Sequence, residues 1–226
     1  MDQGIAVNKD LDEYLQCANL FERRLHSYKL KARAFQSNSK YSDARFDADM
    51  KHLEAEEAHL DVLADVFSQQ EAMRSSARGS ENETAVETRN RANDLESKDH
   101  HPTDQLEQNM RADGRPKPSG DYTAHHIVPG KGRTKLNYRT RIRMHTLGVA
   151  INDGNNGAWM IQKTAYKPHW FAGEAASHKR HHTEAYEVWL NSNIRSTKTE
   201  NTLRAFLRNT GSRMENGELQ PENYRG

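Results

Sequence analysis

Thr123-Ala124-His125-His126-Ile127-Val128-Pro129 is the stretch on which the fold turns. An adjacent histidine pair lies in a short run with β-branched flanks that ends at a proline, which predicts a short strand over 121–129. Outward from it comes the turn-rich segment Ile151-Asn152-Asp153-Gly154-Asn155-Asn156-Gly157, and then Ala158-Trp159-Met160-Ile161, a second short strand. About fifty positions beyond the first pair stands His178-Lys179-Arg180-His181-His182. The spacing from Glu174 to Asn191 predicts a helix with Tyr186, Trp189 and Leu190 on its inner face, followed by an amphipathic helix at 197–209.

His178 and His182 are four apart, so a helix would project both imidazoles from one face, as two ligands of a tetrahedral metal require. His181 would point roughly 100° away. A third ligand must come from another element, and the His125-His126 pair offers one. Neighbours in a strand face opposite sides, so both reach one site only if the strand bends; otherwise one is an ordinary histidine. Two helical ligands and one strand ligand leave positions open for water and phosphate, which separates a catalytic site from a structural one. Adjacent histidines, an Asn-Gly turn and His-x-x-x-His are together the parts of a one-metal phosphodiesterase site.

The charge pattern suits a polyanionic partner. Residues 1–117 hold 17 Lys+Arg against 23 Asp+Glu, whereas residues 118–226 hold 16 against 9, so the histidine-bearing half is basic. Within it, Lys131, Arg133, Lys135, Arg139, Arg141 and Arg143 occur with no acid among them, a run suited to holding phosphates without reading sequence. Mean hydropathy of −1.06 and 34% hydrophobic residues leave part of the chain outside any packed core. No apolar stretch is long enough to span a membrane, and the N-terminus lacks a signal-peptide pattern. Cys17, the single cysteine, excludes a disulfide framework and reads as a helix-packing residue.

The remaining sequence predicts the surroundings of the site. Leu11, Leu15, Ala18, Phe21, Leu25, Tyr28, Ala32 and Phe35 form one stripe, and Phe46, Met50, Leu53, Leu60, Ala64 and Phe67 a second. Ser42 or Asp43 can cap the second helix, so residues 1–73 read as an antiparallel helical hairpin. Residues 74–119 read as a polar linker with at most a fraying helix at 83–97, and His100 and His101 as solvated linker side chains. Residues 120–226 form the third unit, making the fold class α+β. Tyr122, Trp159, Tyr186 and Trp189 read as core, and His169 as lining a substrate groove.

Ala124-His125-His126, the block Gly148…Asn152-Asp153…Asn156-Gly157…Trp159, and His178…His182…Tyr186 together resemble the AHH branch of the HNH/endonuclease VII nucleases. The resemblance covers about 121–190 and departs from the common pattern at Arg180-His181, where a glycine often stands. It implies a ββα-metal domain in which a hairpin, a loop and a helix grip one divalent ion, be it zinc, nickel or magnesium. His125, His178 and His182 then match the metal ligands, His126 the general base, and Asn156 the asparagine that steadies hairpin and base. It also implies a sequence-nonspecific DNA endonuclease, commonly the C-terminal part of a bacterial toxin neutralised by an immunity protein. The helical hairpin would then bind a secretion adaptor or spike. Lack of a signal peptide suits injection into a target cell's cytoplasm, as in type VI secretion. The alternatives are a phage or mobile-element DNase and a noncatalytic, metal-stabilised nucleic-acid-binding module.

Overall fold

The computed structural model describes residues 3–38, 41–98, 102–173 and 175–224, with side chains from Asp10 onward. His100 and His101 lie outside the described residues, as does Glu174. The first apolar stripe drives helix α1 (Gln3–Ser37), which buries Phe21, Leu25, Tyr28 and Ala32 and leaves Leu11 and Leu15 half exposed. Helix α2 (Asp43–Glu57) starts at Ser42, whose hydroxyl accepts from the Arg45 amide and satisfies one of the free amides of the first turn. The second stripe does not form one helix. A 3₁₀ segment, Ala58–Val62, redirects the chain before α3 (Leu63–Arg78), so that α2 packs on α1 while α3 reaches the domain behind it.

Within the polar linker expected over 74–119, the described residues form two helices. Thr84 and Glu87 form a capping box that starts α4 (Ala85–Ser97), and α5 (Thr103–Ala112) follows. Leu106 and Met110, isolated in a polar sequence, are one turn apart on α5 and fully buried. The polar residues around them are buried too, because they have partners. Asn109 donates to the Asn152 carbonyl at 2.7 Å, and Arg111 forms a bidentate ion pair with Glu56.

Strand β1 (Tyr122–His126) and strand β2 (Gly157–Ile161) pair antiparallel, with Tyr122 opposite Ile161 and His126 opposite Gly157. They are the only strands among the described residues, so the fold is mostly helical α+β. Between them runs α6 (Lys135–Thr146), a helix that the sequence reading does not anticipate in the basic run. The close approach of α5 to β2 explains the glycine at 157, since a Cβ there would lie 2.4 Å from Met110 Sδ. After β2 come a 3₁₀ turn at His178–His181, α7 (Glu184–Ser196) and α8 (Glu200–Glu215).

Tyr122, Trp159 and Tyr186 are buried as expected, and Trp189 packs half-buried, stacked on Tyr186. His169 does not line a groove. It is buried with its ring edge-on to Tyr41 and Tyr122, and its Nε2 is 3.4 Å from Asp49 Oδ2. That carboxylate also accepts from Tyr41 Oη at 2.7 Å and Trp170 Nε1 at 2.8 Å, which locks α2 to the segment after β2. Trp170 itself belongs to the core of α1 and α2. No described helix is long and apolar enough to cross a membrane.

Candidate metal centre

Strand alternation parts the two neighbours His125 and His126. His125 turns inward, fully buried, with its ring centroid 4.9 Å from that of His178 and 5.0 Å from that of His182. The helix expected to carry His178 and His182 is not an α-helix at that point. His178 opens the 3₁₀ turn, His182 ends it, and α7 begins two residues later. The tighter winding still brings the pair together, with Nε2 to Nε2 at 3.2 Å. Two nitrogens, each about 2.0–2.1 Å from one tetrahedral ion, lie about 3.3 Å apart. One nitrogen from each of His125, His178 and His182 falls within 4.8 Å of the others.

The chemistry of these donors fits a divalent metal. Both ring nitrogens of His125 are buried without a hydrogen-bond partner among the described residues, a state that polar atoms rarely keep unless a ligand satisfies them. Burial first, and then the neighbouring imidazoles, push His125 well below the ordinary histidine range. The same causes bring His178 to about 4, and burial with the Arg133 charge lowers His182. Neutral imidazoles are the form that ligates a metal. His181 stays apart: it is buried, its Nδ1 lies against the Tyr224 hydroxyl, and it is not in the ligand cluster.

A nuclease family of the HNH/ENDO VII superfamily, described by its conserved AHH, matches residues 106–220, just over half of the chain. The chain belongs to this family. No curated protein and no solved structure matches it. The matched region of this AHH nuclease begins inside α5, which agrees with α5 being packed against the sheet.

His126 is half-buried and is not one of the three clustered ligands; its Nε2 is 2.9 Å from Asn152 Oδ1 in the turn before β2. The Asn152 amide nitrogen donates to Gln105 Oε1 at 2.8 Å, which sets Oδ1 toward the ring. Opposite Oδ1, an acceptor, Nε2 of His126 is the donor. Asn156 is the residue expected to steady hairpin and base. Fully buried, it donates to the Val128 and Ile151 carbonyls, and its Oδ1 accepts from the Val128 amide. It thus clasps the two strand ends, while Asn152 is the asparagine whose side chain meets His126.

The basic run of the AHH nuclease divides in two. Lys131, Arg133, Lys135 and Arg139 are exposed, whereas Arg141 is bidentate to Glu96 and Arg143 donates to the Thr197 carbonyl at 2.6 Å. These two pin α6 to α4 and to the end of α7, and so are not free for phosphate. Sequence reasoning missed Glu187. Buried on α7, it accepts from the Arg133 and Thr134 amides at 2.5 and 2.8 Å, holding the start of α6 beside His182. It also missed Gln105 and Tyr224. Asn152 lay inside the quoted turn, and its place four residues before Asn156 was the one available signal. Cys17 is half-buried, and burial followed by the Asp113 charge raises its thiol to about 11, so it is no nucleophile.

Proposed function

We propose that this AHH nuclease is a metal-dependent DNA endonuclease with little sequence preference. His125, His178 and His182 hold one divalent ion, and His126 is the general base. The observation that carries this reading is the buried His125 ring, partnerless at both nitrogens and facing the paired Nε2 atoms of His178 and His182. When bound, the ion supplies Lewis-acid stabilisation of charge developing on the phosphate and the leaving 3′ oxygen. His126 takes a proton from the attacking water. Gln105 and Asn152 hold that ring in one tautomer, and Asn156 keeps the strand ends fixed beneath it. Lys131, Arg133, Lys135 and Arg139 grip phosphates along the strand, and the Arg133 charge is felt at His182. Imidazole ligands suit zinc or nickel, and the open positions accept magnesium.

The orientation of His126 favours catalysis over a purely structural metal site, which has no use for a positioned, unliganded imidazole beside a ligand. The antibacterial role stays within the proposal: an effector injected into a competitor's cytoplasm, with an immunity protein as its partner and α1–α3 binding a delivery adaptor. Half-exposed Leu11 and Leu15 on α1 support a partner at that end. Metal-loaded full-length protein should degrade plasmid and linear DNA and stop on chelation. Intact DNA after incubation of folded protein with zinc, nickel and magnesium in turn would refute the endonuclease assignment. Toxicity on cytoplasmic expression, relieved by an adjacent gene, would support the effector role, and harmless expression of the active enzyme would favour the mobile-element DNase.

A further inference from the structure

Away from the histidine cluster, α1, α3, α5 and α8 surround a cavity of about 600 Å³, within the roughly 300–1,000 Å³ usual for small-molecule sites. Its walls hold six arginines, Arg24, Arg74, Arg78, Arg115, Arg204 and Arg208, and four carboxylates, Glu13, Glu71, Asp113 and Glu200, with Asp153 behind Arg74 and Arg204 and Glu215 against Arg115. Most of the opposite charges are spent on each other. Arg74 is tied to Glu71, Asp113 and Asp153, while Arg78 and Arg204 share Glu200. Arg204 is also tied to Asp153, and of the six only Arg24 and Arg208 make no ion pair among the described residues. Arg24 makes a hydrogen bond to a neutral acceptor, the Gly114 carbonyl at 3.0 Å, and burial together with the nearby Arg115 charge pushes it below its ordinary value. Arg208 is exposed on the same face of α8 as Arg204, one turn further on. Arg204 is 8% exposed, and its Nη2 is buried with no hydrogen-bond partner among the described residues. That nitrogen is closed off from solvent, so the anion capacity of the cavity lies with Arg24 and Arg208, and a phosphate oxygen is the acceptor that matches a guanidinium best. The rest of the lining is of another kind: Leu20 and Phe67 form an apolar wall, with the amides of Gln16, Asn155 and Asn201 nearby.

We propose that this cavity binds the phosphate group of a nucleotide, either a free mononucleotide or the phosphorylated end of a nucleic-acid strand. Arg24 and Arg208 take the phosphate, the apolar wall takes the base, and the amides take its polar edge. The site is distinct from the metal centre, so it stands or falls apart from the nuclease mechanism. It adjoins that mechanism through one residue. Asp153, which Arg74 and Arg204 bind at the cavity floor, is the chain neighbour of Asn152, whose side chain meets His126.

Calorimetric titration of the full chain in chelator, where no metal ion can hold a phosphate, tests the site. The probes are adenosine monophosphate, inorganic phosphate, a 5′-phosphorylated trinucleotide and the same trinucleotide with a 5′ hydroxyl. One-to-one binding of the mononucleotide identifies a free-nucleotide site, and binding of the phosphorylated trinucleotide alone identifies a strand end. Either supports the proposal, with inorganic phosphate weaker and the 5′-hydroxyl strand weaker still. Arg24→Gln should weaken binding about tenfold, and the exposed Arg208→Glu about threefold or more. Neither residue belongs to the buried Asp153 ion cluster, and if Arg24→Gln fails to fold, Arg208→Glu carries the test. Absence of binding to every phosphate probe up to about 10 mM, equal affinity for phosphorylated and hydroxyl strands, or unchanged affinity in the folded variants would overturn it.

Discussion

Buried histidines in two regions of this chain differ in what faces them. Where α4 packs on α6, His145 has Nδ1 at 3.0 Å from the Val149 carbonyl and Nε2 at 3.6 Å from Glu96, and where α2 meets the segment after β2, His169 faces Asp49. Each faces a carboxylate at one ring nitrogen and a backbone group at the other, and each ties two elements together. His169 Nδ1 accepts from the Phe171 amide, and its Nε2 is within ion-pair rather than hydrogen-bond geometry of Asp49. Around β1, His125, His178 and His182 face one another, and among the described residues no carboxylate lies within ion-pair distance of them. Three imidazoles crowded without an acid lose stability in the metal-free fold, since each disfavours a proton on the others. Such an arrangement makes physical sense when a cation supplies what the protein withholds. Partnered histidines mark structure, and partnerless, convergent ones mark a metal site.

The largest effect that separates the two regions comes from removing one histidine in each. His178→Ala should lower metal affinity by more than about a hundredfold, since even outer partners of ligands contribute about 10–100-fold, with activity falling in step. His169→Ala should leave metal affinity unchanged and lower the melting temperature instead, through loss of the Asp49 contact and its packing. Metal titration with parallel melting curves decides this, and a metal defect in His169→Ala would erase the distinction.

The basic run splits along the same line between partnered and free. Arg141→Ala breaks the pair with Glu96, whose carboxyl is held down at about 2, burial opposing and the His145 and Arg141 contacts prevailing. It should lower stability by about 3 kcal/mol, read by denaturant unfolding. Arg139→Ala, on an exposed side chain, should leave stability intact and reduce the slope of log affinity for DNA against log salt by about one. A reversed outcome would mean that the structural and DNA-facing arginines are interchanged.

Acid should probe the cluster with a smaller effect. In metal-free protein His178 is depressed from 6.5 to about 4, and His125 and His182 are lowered as well. Their contribution to stability is complete above about pH 6.5 and declines as pH falls from there toward 4, because the unfolded chain binds protons that the folded chain refuses. Chelated wild type should therefore lose melting temperature across that window more steeply than His178→Ala. Parallel curves would remove the electrostatic part of the argument.

The histidines were legible because the motif is short and local. His125-His126 needed only a strand, and the spacing of His178 and His182 survived the substitution of a 3₁₀ turn for the expected α-helix. The metal-site geometry therefore emerged from a partly mistaken local structure. Helix α5 was illegible because hydropathy records only Leu106 and Met110, while Asn109 and Arg111 are buried through contacts with Asn152 and Glu56, far away in sequence. Arg141 and His169 were misjudged for the same reason, since Glu96 and Asp49 come from helices that periodicity alone cannot dock. Gln105 and Asn152 also needed tertiary contact to be seen, and Asn152, bonded to Gln105, meets the side chain proposed as the general base.

The central claim is that the two adjacent histidines have different tasks, His125 turned to the metal and His126 to the reacting water. Paired zinc titration and plasmid nicking on His125→Ala and His126→Ala tests it most directly. The account predicts that His126→Ala binds zinc within about twofold of wild type yet nicks about 10²–10⁴-fold more slowly, while His125→Ala loses zinc affinity and nicking together. Loss of zinc by His126→Ala with retention by His125→Ala would contradict it.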